Sequence, residues 1–182
     1  MQKQDQQNQQ DCNKHLKIKK HSYLQEFINN LPYLLMIILG SIIFLISQTP
    51  SPWPLITGSL YFLYGVIGAF WIIIFLCPYC HYYGTRLCPC GYGQIAAKLV
   101  SKKDGDRFPE KFKKHIPVIV PLWLLPVPAG GYGLWFGFSW GLLVLLVVFM
   151  VNSFIVLPLV STKHGCAHCP QKKSCPWMKD KM

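Results

Sequence analysis

The 182 residues carry 18 Lys+Arg against 7 Asp+Glu, a formal charge of +11, with eight cysteines and 52% hydrophobic residues. No Asp, Glu, Lys or Arg stands between Glu26 and Arg86, and none between Lys114 and Lys163. Such stretches exclude an ordinary soluble domain, whose helices and strands each keep one side in water. Windows that are apolar all round predict elements solvated by lipid, and the short chain leaves room for one membrane bundle with small polar appendages.

In chain order, residues 1–30 read as a disordered polar tail and membrane approach, with six Gln in the first ten positions and little to bury. No role is assigned to Cys12. Residues 31–76 hold the first two transmembrane helices. The first runs from about Leu31 to Ser47, with Asn29 or Asn30 as its cap and Pro32 in its first turn. After the proline-rich turn 48–54, the second, Leu55 to Leu76, spans roughly 33 Å at 1.5 Å per residue, enough to cross the hydrocarbon. Gly65, Gly68 and Ala69 leave room there for close helix contact.

Residues 77–115 form a Cys-rich insert, in which 93–100 predicts a short helix and 107–114 an interfacial segment mixing aromatic and basic residues. Residues 116–160 hold transmembrane helices three and four. The third starts near Ile116, is kinked or re-entrant because of Pro117, Pro121, Pro126 and Pro128, and ends in Gly130-Gly131-Tyr132-Gly133 as turn material. The fourth begins at Leu134 or Ser139, and Asn152 and Ser153 on it predict hydrogen bonds across the bundle. Residues 161–182 are a Cys-rich tail. The fold class is therefore all-α, an integral membrane bundle of four helices with a Cys-rich cap.

Lysines and arginines cluster before the first helix, in the insert and in the tail, whereas the connections 48–54 and 129–133 carry no charge. The positive-inside rule then places both termini and the insert in the cytoplasm of a multi-pass cell-membrane protein. No cleavable signal peptide is expected, since a long polar tail precedes the first apolar run. The charge reads as topology and lipid contact rather than nucleic-acid binding, because the basic residues are spread over three segments abutting the bilayer.

Seven cysteines fall in two clusters, Cys77, Cys80, Cys88 and Cys90 in the insert and Cys166, Cys169 and Cys175 in the tail. An even number of spans brings both clusters to one face. Cytosolic thiols stay reduced, so these cysteines predict a metal or redox centre rather than disulfides. Two C-x2-C pairs each let two thiolates grip one metal. For zinc, Cys77, Cys80, Cys166 and Cys169 would close one tetrahedral site, and Cys88, Cys90 and Cys175 with His81, His164 or His168 a second. For an iron–sulfur cluster speaks the proline after Cys77, Cys88, Cys169 and Cys175.

The run Thr85-Arg-Leu-Cys88-Pro-Cys90-Gly-Tyr-Gly-Gln94-Ile-Ala-Ala resembles, over that stretch alone, the NapH-type membrane iron–sulfur quinol dehydrogenase proteins. The resemblance implies a four-helix protein whose cytoplasmic Cys motifs hold 4Fe–4S clusters and pass electrons between quinol and a partner. Gly84 stands where a C-x3-CP pattern would carry a cysteine, so Cys88 is the one ligand the resemblance transfers.

Cys77-Pro-Tyr-Cys80-His81 also matches the haem c attachment pattern and the dithiol of glutaredoxin-like enzymes. Haem is attached outside the cytoplasm, and no strand–helix–strand pattern accompanies the dithiol. The apolar segments hold no ionisable side chain for a proton or ion path, which argues against a pump or secondary transporter. The expectation is an electron-transfer protein with a Cys-ligated centre, iron–sulfur ahead of zinc, working with an acidic soluble redox partner or a membrane redox complex. The alternatives are a membrane scaffold or assembly subunit with structural zinc and, more remotely, a thiol–disulfide oxidoreductase. No sequence feature names a reaction.

Overall fold

The computed structural model describes residues 22–47, 53–166, 169, 171, 175 and 176, with the side chains of 164–166 excepted. Among these residues the structure is helical and contains no strand. Four helical stretches are long and apolar enough to cross a membrane: Tyr23–Ile46, Trp53–Tyr79, Gly105–Phe136 and Trp140–Lys163. Their outward side chains are exposed leucines, isoleucines, phenylalanines and tryptophans, as lipid-facing surfaces require.

The first stretch is α1 (Tyr23–Ile46), which starts earlier than the sequence predicts. Ser22 opens it, its N–H donating to Gln25 Oε1 at 3.1 Å. Asn29 and Asn30 are therefore interior residues rather than caps, and Pro32 is buried within the helix. The second stretch is α2 (Trp53–Phe75), and glycines set its distance from α1. A Cβ on Gly65 would lie 2.6 Å from Ile37, and one on Gly40 would lie 2.4 Å from the Tyr61 ring, so both interfaces require a residue without a side chain.

The insert contains α3 (Tyr92–Leu99) and α4 (Phe108–His115). From α4 the chain passes through a tight turn at Ile116–Ile119 into α5 (Pro121–Leu124) and α6 (Pro126–Phe136). The prolines break the third span into these pieces, as predicted, and neighbours replace what they remove. Leu122 O is the carbonyl a helical N–H at position 126 would bind; Pro126 has none, and Tyr61 Oη donates to Leu122 O instead at 2.6 Å. Tyr64 Oη also donates to a carbonyl of this span, that of Val118.

Gly130-Gly131-Tyr132-Gly133 is not a turn. It lies inside α6, and the connection to the fourth span is Gly137–Ser139. The glycines serve packing: a Cβ on Gly130 would meet Leu146 at 2.9 Å, and one on Gly133 would meet the backbone of Ser47 at 2.8 Å.

The fourth span comprises α7 (Trp140–Val151), a π-helical turn at Asn152–Val156, α8 (Leu157–Val160) and a second π-helical turn at Ser161–Cys166. Asn152 Nδ2 donates to Pro32 O at 2.9 Å, the cross-bundle bond its position predicts. Ser153 makes none: its hydroxyl is fully buried and has no hydrogen-bond partner. That core joins all four spans through Met36, Ile43, Tyr61, Leu122, Leu142 and Phe149.

The start of α1, the insert and the described tail residues share one end of the bundle. Arg86 Nη2 donates to Tyr23 Oη at 3.1 Å, and Gln171 reaches the insert.

Candidate functional site

The insert is folded by tight turns that carry the cysteines. One residue beyond α2, Cys77–Tyr79 forms a turn with Pro78 buried, and Cys80 N donates to Cys77 O at 3.1 Å. Gly84 and Gly91 both take the left-handed conformation, φ 71° and 73°, which non-glycine residues seldom adopt. Gly84 N donates to Gly93 O at 3.0 Å and Gly91 N to Cys88 O at 3.1 Å, so the loop is drawn closed ahead of α3. Gly93 N then donates to Cys88 Sγ at 3.4 Å. A Cβ on Gly93 would sit 2.5 Å from Tyr82 O, which fixes glycine at this position.

The Cys88–Cys90 turn is fastened to the first span. Asn29 Nδ2 donates to Pro89 O at 2.8 Å, and Asn30 Nδ2 to Cys90 O at 2.9 Å. Glu26 stands on the same side, accepting from Gln94 Nε2 at 3.5 Å.

Gln171 fastens the tail. Its Oε1 accepts from His81 N at 3.0 Å, and its Nε2 donates to Tyr79 O at 3.3 Å and to Gly105 O at 3.2 Å. Cys175 N closes back on Gln171 O at 2.9 Å, and Cys175 packs with Leu76 and Phe108.

These fastenings border a partly open cavity of about 350 Å³ that runs on between the spans as far as Trp123 and Leu157. Cys77, Cys80, Cys88, Cys90, Cys169 and Cys175 all line it. The remaining wall is mainly aliphatic and aromatic, with Tyr33, Trp123, Phe108 and Phe112 among its members. None of the six thiols is in a disulfide. Among the described residues, no three His, Cys, Asp or Glu side chains are arranged to hold a metal ion.

The electrostatics are those of partly buried thiols that face one another across the cavity. Burial pushes the Cys169 thiol up; a backbone N–H of Gln171 opposes the rise, and Cys175 and Cys88 add to it. Burial also raises the Tyr92 phenol, reinforced by Cys90, Tyr33, Cys77 and Cys88. Cys77 itself lies within electrostatic reach of Cys88, Cys80 and Cys90. Partial burial disfavours the thiolate form of these cysteines.

Of the expected ligands, His81 is not part of the cavity wall. Its ring lies edge-on to Tyr82 at 6.0 Å, and burial, then Lys102, lowers its pKa below the usual histidine value. The Cys166 side chain and His168 lie outside the described residues. Asn29, Asn30 and Gln171 are the site residues that sequence reasoning passed over. Their signal was present in two adjacent amides where an apolar helix begins, and an amide between two cysteines of the tail.

No family model, curated protein or solved structure matches this chain.

Proposed function

We propose that this is an integral membrane electron-transfer protein whose clustered cysteines hold a metal centre, an iron–sulfur cluster, at the cytoplasmic end of a four-helix bundle. The observation that carries the reading is that six thiols, from segments about 90 residues apart by Gln171 and Tyr79, line one mainly apolar cavity. Soft thiolates select iron–sulfur clusters and zinc among biological metals. A tetrahedral zinc site draws its sulfurs to about 2.3 Å from the metal and leaves little void. The proline after Cys77, Cys88, Cys169 and Cys175 favours the iron–sulfur reading over zinc.

The cluster would supply one-electron chemistry; the chain's own residues supply its setting. Cys77, Cys80, Cys88 and Cys90 would hold it, the Gly93 amide on Cys88 Sγ would stabilise charge on sulfur, and the apolar wall would keep water away. Lys102, Lys103, Arg107 and Lys111 belong to the same insert, with Lys103 and Lys111 over the Tyr79 ring at 5.5 and 5.9 Å. Such a basic border would steer an acidic soluble redox partner to the site. The same charges support the cytoplasmic orientation of the insert.

One observation favours a second reading. Gln171 already joins tail to insert, and a structural zinc in a scaffold or assembly subunit would secure the same junction. Oxygen-free purification with metal analysis separates the two. A brown protein containing iron and acid-labile sulfide supports electron transfer; a colourless protein with stoichiometric zinc eliminates it.

A further inference from the structure

We propose that the part of the cavity between the spans holds one acyl chain of an anionic phospholipid from the leaflet on the insert's side, with the phosphate among the basic residues of 98–114. Such a lipid does not depend on the metal centre proposed above, because its chain fills the space between the spans and leaves the cysteines at the other end.

The wall offers little to a polar ligand. Asn29 Nδ2 donates to Pro89 O at 2.8 Å, and Asn30 Nδ2 donates to Glu26 O and Cys90 O. Tyr33 Oη donates to Gly65 O at 2.9 Å, Ser161 Oγ to Pro158 O at 3.1 Å, and the Gln171 amide is bonded to the insert. Between the spans the lining is Ile72, Ile116, Ile119, Trp123, Leu157 and Val160. An apolar space of this kind stays dry and takes up hydrocarbon rather than water. At about 350 Å³ it lies near the lower end of ligand pockets, roughly 300–1,000 Å³, which suits one chain and not a whole lipid.

That space opens where lipid is at hand. Trp123, Leu157 and Val160 are each half-buried, lining the cavity while still reaching the flank of the bundle. Trp123 belongs to the third span and Leu157 to the fourth. Leu157 lies six residues before Lys163, the first charge after the fourth apolar stretch, so helical rise places it roughly 9 Å into the hydrocarbon. This depth is within one leaflet of a hydrocarbon core about 30 Å thick, and a chain of that leaflet reaches it.

The charge beside the cavity selects the headgroup. Residues 98–114 carry seven Lys+Arg against three Asp+Glu. Helix α4 lines the cavity with Phe108 and Phe112, and Lys111 between them stands with Lys103 over the Tyr79 ring at 5.9 and 5.5 Å. Tyr79 itself packs on the Leu76, Phe108 and Cys175 cluster, three residues of the same wall. Glu110 takes up part of the Lys111 charge at 3.8 Å, whereas Lys102, Lys103 and Arg107 are exposed. Cations grouped beside an apolar pocket between membrane helices recognise anionic lipid headgroups.

The test uses the wild-type full chain in phosphatidylcholine vesicles that contain a minor fraction of a photoreactive probe. The probe is either phosphatidylglycerol or phosphatidylcholine with a diazirine midway along one acyl chain. After irradiation and digestion, cross-linked residues are mapped by mass spectrometry. The phosphatidylglycerol probe should label Ile119, Trp123, Leu157 or Val160 about fivefold more than the phosphatidylcholine probe, the preference that a single lysine near the headgroup supplies. Excess unlabelled phosphatidylglycerol should compete it away. Leu124, Leu125 and Leu159, which are exposed, should be labelled alike by both probes. In the Lys103→Gln/Lys111→Gln variant the preference at the cavity should fall while labelling of those three leucines persists. Labelling confined to the exposed leucines, or cavity labelling no stronger from phosphatidylglycerol than from phosphatidylcholine, overturns the assignment. A preference unchanged in the lysine variant overturns the placement of the phosphate.

Discussion

The side-chain amide of Asn30, inside the first membrane helix, donates to the backbone carbonyl of Cys90 at 2.9 Å across 60 positions of sequence. The same nitrogen donates to Glu26 O at 2.8 Å, so one amide links a turn of α1 to the cysteine loop. Replacing Asn30 with Ala removes both bonds and leaves the Cys90 carbonyl without this donor. A net loss of about 1–2 kcal/mol follows for such a partly buried pair. Thermal unfolding in detergent micelles should show the lower midpoint, and alkylation of Cys90 in metal-free protein should be faster than in wild type. An unchanged alkylation rate would show that the loop does not depend on this tether.

Tyr61 and Pro126 should behave as a compensating pair. Tyr61→Phe removes the donor to Leu122 O and strands a buried carbonyl, at a cost of about 1–3 kcal/mol. Pro126→Ala restores a backbone N–H able to reach that carbonyl, so the double variant should recover much of the loss. A double-mutant cycle on unfolding in micelles measures the coupling. Strict additivity would mean that the tyrosine is not standing in for the missing amide.

Gly133 and Gly131 should differ sharply although they sit two residues apart. A Cβ at Gly133 meets the Ser47 backbone at 2.8 Å, and a backbone neighbour cannot yield as a side-chain tip does. Gly133→Ala should therefore destabilise the bundle by about 1–3 kcal/mol through overpacking. At Gly131 nothing lies within 4 Å, and Gly131→Ala should be neutral or stabilising by roughly 0.5–1 kcal/mol from helix propensity. The order of the two unfolding midpoints is the check.

Trypsin should distinguish the two faces of the bilayer. With the insert in the cytoplasm, cleavage in 98–114 is expected in inverted membrane vesicles and absent in right-side-out ones. The opposite pattern would reverse the orientation and bring back the haem and oxidoreductase readings of Cys77-Pro-Tyr-Cys80-His81.

Charge-free stretches made four spans and an all-helical bundle legible in the sequence, because lipid leaves few other ways to satisfy a backbone. The kinked third span followed from its prolines. What was not legible was the use of particular polar and small residues. Asn30 reads as a helix cap because asparagine favours that position, but the helix begins at Tyr23 and frees the side chain for the loop. Gly130 and Gly133 read as turn formers, yet in a membrane the same missing side chain permits close helix approach. Counting spans put tail and insert at one end, where Cys169 and Cys175 lie on the same cavity as the insert cysteines. Which thiols face which depends on turn geometry at Gly84, Gly91 and Gly93 that spacing alone does not specify.

Leu76 is all that separates the last residue of α2 from Cys77. With no slack between membrane helix and thiol, a tilt of α2 carries Cys77 with it. Tilt responds to the match between helix length and hydrocarbon thickness. A bilayer whose thickness changed that tilt would therefore shift Cys77 against the Cys90 turn, which is tied to α1 instead.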